Sequence, residues 1–200
     1  MEEIFSKIDF SPAPGGNLYH WKNVDTVFEI FDDGKYIIEI SASAKNAQQN
    51  MLKDDDDLRI SIDDYEFGKY EINDESISWK GFGTASSWDG ATLKGKTKTV
   101  YFFLQLQKGI HKIKFYADNT PVLKKIRILS LNSAEKFELE QEPPFQNIKL
   151  DKNGLPWISF IFLGIKPKDF FISSFCKSAK QKNGTDGDNL KVILNGKILE

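Results

Sequence analysis

Trp79 and Trp88 frame a stretch, Ser78 to Gly90, made otherwise mostly of glycine, serine and other small residues. Loops seldom hold two large apolar faces without something to cover them. The pair is therefore either a flat binding surface or a plug for the end of a core, and tryptophan's high average burial keeps the second reading in play. A second group with chemical potential is the run Asp54-Asp55-Asp56-Asp57, followed by Asp63-Asp64. Asp54, Asp56 and Asp63 are candidate hard oxygen ligands for calcium, and acidic residues recur later at Asp186 and Asp188. The segment Thr185 to Asn189 has no acidic residue at the twelfth loop position, so it is not an EF-hand. A solvated, charged turn that blunts a strand edge is the alternative reading of these runs.

Catalytic constellations are thin. His20 and His111 are the two histidines, too few for a multi-histidine metal site, and no Ser-His-Asp arrangement is singled out. Acidic residues are numerous, but no pair stands out as acid and base. Gly81-Phe82-Gly83 lacks the strand-turn-helix setting of a phosphate loop and reads as a turn. Cys176 is the single cysteine, which excludes an internal disulfide, and its strand setting suggests a small buried thiol. The sequence predicts a non-enzyme.

Composition narrows the partners. Of 200 residues, 27 are basic and 29 acidic, and no basic block is large enough to serve nucleic acid or an anionic membrane. Apolar residues are interrupted by charge every few positions, so no membrane span is expected. Met1-Glu2-Glu3-Ile4-Phe5 opens acidic and does not read as a secretion signal. Taken as it stands the chain is expected in the cytoplasm, or outside the cell if its start lies upstream.

A repeat organises the chain. Ile40 to Gln49 returns as Ile172 to Gln181, and Asp54, Asp56, Leu58, Ile60 and Ile62 fall opposite Asp186, Asp188, Leu190, Val192 and Leu194, always 132 positions later. A period this long implies tandem units that each fold around their own core. The expected layout is an N-terminal extension (1–23), a complete module (24–130), a linker (131–153) and an incomplete second module (154–200). The linker is placed by Glu138, Glu140, Glu142 and Pro143-Pro144, since proline lacks the amide a central strand needs. The second unit is expected to open with Ile158 to Leu163 and, lacking an opposing sheet, to stay poorly ordered, dock on the first unit, or self-associate.

Within the first unit, Thr26–Phe31, Lys35–Ala44, Leu58–Asp63, Lys98–Leu104, Gly109–Ala117 and Leu123–Leu129 alternate apolar and polar residues and are rich in β-branched and aromatic types, as strands are. Asp32-Asp33-Gly34 reads as a hairpin turn, and Lys108-Gly109 and Asp118-Asn119-Thr120-Pro121 as further turns. Many short strands with such punctuation predict an all-β fold, an antiparallel β-sandwich.

These residues resemble a known family. Ile40-Ser41-Ala42-Ser43-Ala44 followed by Leu58-Arg59-Ile60-Ser61-Ile62-Asp63 is similar to the front half of jelly-roll carbohydrate-binding modules, and Val192-Ile193-Leu194-Asn195-Gly196 matches their strand-ending turn more closely. Leu106-Gln107-Lys108-Gly109-Ile110-His111-Lys112-Ile113 resembles their "L-x-x-G-x-H-x-I" strand, in which the histidine is structural. The resemblance implies a jelly roll, one complete module plus the front half of a second, that holds a glycan or cell-wall polymer for an activity encoded elsewhere. It implies that Trp79 and Trp88 stack on sugar C–H faces while Asp89, Asp118 and Asn119 bind hydroxyls, with calcium as a possible cofactor. The rival expectation is a structural module packed against a catalytic domain or another copy, with no sugar site. Exposed indoles favour the first and buried indoles the second.

Overall fold

The structure is a computed structural model that describes residues 1–8, 12–67, 69–73, 76–80, 83–131, 137–140, 155–165, 191–194 and 197–199. The chain divides into two compact units, Met1–Ile165 and Lys166–Glu200. In chain order the strands of the first unit are β1 (Glu2–Ile8), β2 (Tyr19–His20), β3 (Thr26–Ile30), β4 (Gly34–Ser43), β5 (Asp57–Ile62), β6 (Tyr65–Glu66), β7 (Lys69–Asn73), β8 (Ser76–Lys80), β9 (Trp88–Asp89), β10 (Thr97–Leu106), β11 (Gly109–Asp118), β12 (Val122–Leu131) and β13 (Ile158–Leu163). Two helical turns, α1 (Ala47–Asn50) and α2 (Gly90–Leu93), lie in the loops before β5 and after β9.

Two sheets face each other. One runs β1-β12-β4-β10-β13; the other runs β2-β11-β5-β6, with β3 also on β11 and β9 also on β5. Alternation along the strands explains the packing. Ile38, Ile40 and Ala42 of β4, Val100, Phe102 and Leu104 of β10, and Leu123, Ile126 and Ile128 of β12 meet Phe28, Leu58, Ile60, Ile113 and Phe115 of the opposite sheet in one core. β12 keeps its apolar residues inward through a register shift between Leu123 and Lys125, where a bulge absorbs one residue. All six expected strands are present with ends moved by at most a few residues, and the fold is an all-β sandwich.

Three expectations are corrected by the pairing. β3 and β4 do not form a hairpin: β3 pairs with β11 and β4 with β10 and β12, so Asp32 to Gly34 carries the chain from one sheet to the other. Residues 1–23 are not an extension, because β1 pairs with β12, β2 pairs with β11, and the buried Trp21 joins the core. Ile158 to Leu163, taken as the opening strand of a second unit, is the fifth strand of the first sheet and runs parallel to β10.

β12 and β13 both run parallel to β10, so the segment 132–157 that joins them has to return the chain to the same end of the sheet. From this segment the Phe137 ring packs on the sheet's outer face, 5.5 Å from Tyr101 and 5.6 Å from Phe103, while Leu155 joins the inner core. Tyr101 also stacks on Phe160, and Phe103 on Phe162. Ile37, Tyr101, Phe103 and Leu129 are therefore as buried as the inner core. Glu39, 3% exposed on the same face, is held by Arg127 at 2.6 Å and Lys125 at 2.8 Å. The near-continuous apolar run of β4 is that of a strand buried on both faces.

In the second unit, β14 (Val192–Leu194) and β15 (Lys197–Leu199) form an antiparallel pair. Ile172 to Leu190, which carries most of the repeat as well as Cys176, Asp186 and Asp188, lies outside the described residues.

Candidate functional site: a carboxylate row at one end of the sandwich

Strand register assembles the site. Asp57, the first residue of β5, pairs with Asp89 of β9 on one side and with Asp118, the last residue of β11, on the other. Cross-strand partners project to the same face, so three carboxylates stand in one row on the outside of the second sheet. Asp55 joins them from the loop before β5, fixed by the Ala91 amide, which donates to its Oδ2 at 2.6 Å. Carboxylate oxygens of Asp55, Asp57 and Asp89 all lie within 4.8 Å of one another.

Each member is positioned by local chemistry. Asp89 caps α2, accepting from the Thr92 amide at 3.3 Å and the Thr92 hydroxyl at 2.8 Å. Asn119 sits in the left-handed region at φ 56°, where asparagine is among the better tolerated residues. Its amide donates to Gly16 O and its Nδ2 to Asp55 O at 2.6 Å, so it braces the loop that delivers Asp55. Gly90 admits no side chain: a Cβ there would lie 2.1 Å from Lys45 O and 2.8 Å from Asp56 O.

Like charges placed opposite one another in a dehydrated row resist ionisation. Burial, then the charges of Asp55, Asp89, Asp118 and Asp54, push the Asp57 carboxyl up to about 8. Asp55 is pushed up to about 6, chiefly by burial, and Asp118 is raised by burial and then by the charge of Asp54. A hard divalent cation would relieve this repulsion, and oxygen-only ligation is what calcium or magnesium takes. Asp55, Asp57 and Asp89 are the residues that would hold it.

The expected ligands Asp54, Asp56 and Asp63 do not converge. Successive residues of an extended chain point to opposite sides, so Asp55 and Asp57 share a face and Asp56 turns inward. There Asp56 is fully buried and accepts from Lys45 N (2.9 Å), Asn50 Nδ2 (3.0 Å), Thr120 N (3.0 Å) and Thr120 Oγ1 (3.2 Å). Its oxygens tie three loops together and are not offered to a metal. Asp54 is exposed beside the cluster and accepts from the Asp55 amide. Asp63 follows the far end of β5, about 20 Å from Asp57 at the usual strand rise, and is bonded to His111 and the Lys112 amide.

Trp88 also departs from expectation. It neighbours Asp89 on β9 and so faces the opposite way, into the core, with no exposed surface and with its Nε1 donating to Lys98 O at 2.8 Å. A fully buried ring has no face to give a sugar. Lys98 is buried beside it, its Nζ donating to Ser87 O at 2.7 Å, and burial pulls this amine down to about 7. Trp79 lies on β8, whose side chains are outside the described residues. Among the expected binding residues, the structure brings together Asp89, Asp118 and Asn119. It adds Asp55 and Asp57, which the parity of the acidic run about the start of β5 could have singled out.

The fold is an all-β sandwich of two facing sheets. The chain is similar to the carbohydrate-binding module of lichenase 5A from Cellvibrio mixtus, solved with cellotriose, at TM-score 0.29 and 14% identity over 66% of this chain and 91% of that one. It is similar to the C-terminal carbohydrate-binding module of a laminarinase from Zobellia galactanivorans, at TM-score 0.28 and 13% identity over 64% and 92%. A family 115 4-O-methyl-α-glucuronidase with specificity for decorated arabinogalactans matches at TM-score 0.38 and 10% identity, over 66% of this chain and 18% of the enzyme. The chain thus spans less than a fifth of that enzyme. No family model matches the sequence, and no curated protein does. Among the described residues no helix is long and apolar enough to cross a membrane.

Proposed function

We propose that this protein is a non-catalytic glycan-binding module whose site is the end of the sandwich bearing Asp55, Asp57, Asp89, Asp118 and Asn119. Calcium is the proposed cofactor, held by Asp55, Asp57 and Asp89. The observation that carries the reading is the convergence of carboxylates from three strands and one loop on one row, with Asn119 bracing the loop that completes it. Carboxylates and amides of this kind bind sugar hydroxyls through oriented hydrogen bonds, and an open site leaves little surplus after ordering costs. Affinity in the millimolar to micromolar range is the expected order of magnitude.

The burial of Trp88 favours a second reading, in which the sandwich is a structural module packed against a catalytic partner or another copy. Calorimetric titration with a panel of soluble polysaccharides, in calcium and in chelator, separates the two. Glycan binding predicts heat with at least one polysaccharide, lost in Asp57→Asn or without calcium. No heat with any polysaccharide, from a chain that stays folded, rejects the glycan site and leaves the structural module.

A further inference from the structure

At the opposite end of the second sheet, His111 makes an arrangement that fixes its charge. Its Nδ1 lies 2.5 Å from Asp63 Oδ2 and its Nε2 lies 2.7 Å from Gln107 O. A backbone carbonyl can only accept, and so can a carboxylate, so both ring nitrogens must carry hydrogen. That is the imidazolium. The ring stacks on Phe28 at 5.5 Å and its side chain is 11% exposed, so it is held in place while Asp63, 41% exposed, comes to it from the turn between β5 and β6. The same turn is tied to β11 by backbone: Asp63 N donates to Lys112 O and Lys112 N to Asp63 Oδ1. Asp63 and Asp64 both take left-handed backbone there, as the two central residues of a tight hairpin turn between Ile62 and Tyr65 do.

We infer that protonated His111 is a clasp fastening the β5–β6 turn to the turn before β11, and that loss of its proton releases the turn. Either neutral tautomer would leave a lone pair facing an acceptor, at Asp63 or at Gln107. The charged groups around it are Asp63 and Asp64 from the turn, Lys112 and Lys114 from β11, Glu29 from β3 opposite Ile110, and Lys108 with Asp33, whose carboxylate accepts from the Lys108 amide. Lys114 pairs with Asp64 and Lys112 with Asp25, so Asp63 is the carboxylate left to the imidazolium. The turn also forms one wall of a surface groove of about 400 Å³, with the exposed Val27 and Ile110 on its other side. Releasing the clasp therefore reshapes that groove.

Burial works against the charged ring, but the bonds to Asp63 and Gln107 and the Asp63 charge outweigh it, and the net shift is upward. A raised folded value gives a contribution fully present below the ordinary imidazole range and lost as pH rises through the raised midpoint. Asp57 titrates over an overlapping range at the other end of the molecule, so the test needs local probes. Long-range proton–nitrogen correlation of the two imidazoles as a function of pH supplies them, with His20 as internal reference. The expected result is a His111 protonated on both nitrogens at pH 6.5, with a midpoint above the ordinary value. Amide exchange at Asp63 and Lys112 should accelerate severalfold, and the Val27 and Ile110 methyl shifts should move, with that same midpoint. Asp63→Asn keeps the shape, removes the charge and should lower the midpoint. A singly protonated His111 at pH 6.5, a midpoint unmoved in Asp63→Asn, or exchange at these amides that ignores the midpoint overturns the inference.

Discussion

Replacing Asp56 with alanine removes the acceptor at the centre of the loop cluster. Four hydrogen bonds are lost at once, from the amides of Lys45 and Thr120, the Asn50 side-chain amide, which keeps its bond to Asp54 O, and the Thr120 hydroxyl. Hydrogen bonds to a charged acceptor contribute about 1.5–3 kcal/mol each, but bonds sharing one acceptor group are not additive and water will reach some of the stranded donors. A total of about 3–5 kcal/mol is the consistent figure, in the range seen when a buried network is broken. For a unit of this size that lowers Tm by on the order of 10 °C. Asp56→Asn is the informative companion. Oδ1 takes three of the four bonds and survives as the amide oxygen, while the new NH2 faces the Lys45 amide, so its cost should be smaller, about 1–2 kcal/mol. Urea unfolding followed by circular dichroism in chelator measures both. If Asp56 were a metal ligand, its removal in chelator would relieve repulsion as the removal of Asp57 should. An Asp56→Ala protein within 1 kcal/mol of wild type refutes the structural role.

Three further outcomes are expected. Asp57, raised to about 8 in the fold, binds a proton that the unfolded chain has already released above about pH 4, so metal-free stability should fall as pH rises from 5 to 8. Thermal melts across that range should show this slope flattened in Asp57→Asn, and calcium should raise Tm more at pH 8 than at pH 5. Gly90→Ala drives a methyl into Lys45 O and Asp56 O, both backbone, and should cost about 2–3 kcal/mol or more by displacing the loops that carry Asp55 and Asp89; chemical denaturation reads it. Trp88→Phe removes the donor to Lys98 O from a fully buried site and should cost about 1–3 kcal/mol, with loss of a blue-shifted, quencher-resistant component of the tryptophan emission.

The strands were legible because each carries its own signal: period-two alternation in Leu58 to Asp63 or Gly109 to Ala117 survives whatever the strand pairs with. Partner choice carries no such local mark. Asp32-Asp33-Gly34 has hairpin chemistry, and only the long-range pairing of β3 with β11 and of β4 with β10 and β12 decides against a hairpin. Ile158 to Leu163 was read as a strand and misplaced for the same reason. Of the residues singled out by type, Asp89, Asp118 and Asn119 do meet at one end of the sandwich. The carboxylates that complete the row were passed over because four consecutive aspartates look alike until the first residue of β5 sets which alternate pair faces outward. Trp88 was misjudged through its neighbours: a glycine- and serine-rich loop reads as exposed, yet one of its residues is drawn into a two-residue strand.

The parallel placement of β13 has a consequence for the order in which this protein can be made. Until residue 163 has left the ribosome, β10 lacks β13 on one edge, and its run Thr99-Val100-Tyr101-Phe102-Phe103-Leu104 is β-branched and aromatic with no charge or proline, the composition of an aggregation-prone strand. At ordinary elongation rates of about 5–20 residues per second, several seconds separate the completion of β12 from the arrival of β13. During that interval the β10 edge that β13 covers in the finished fold is open to pairing with another chain. A version ending at residue 131 would remain at that stage permanently.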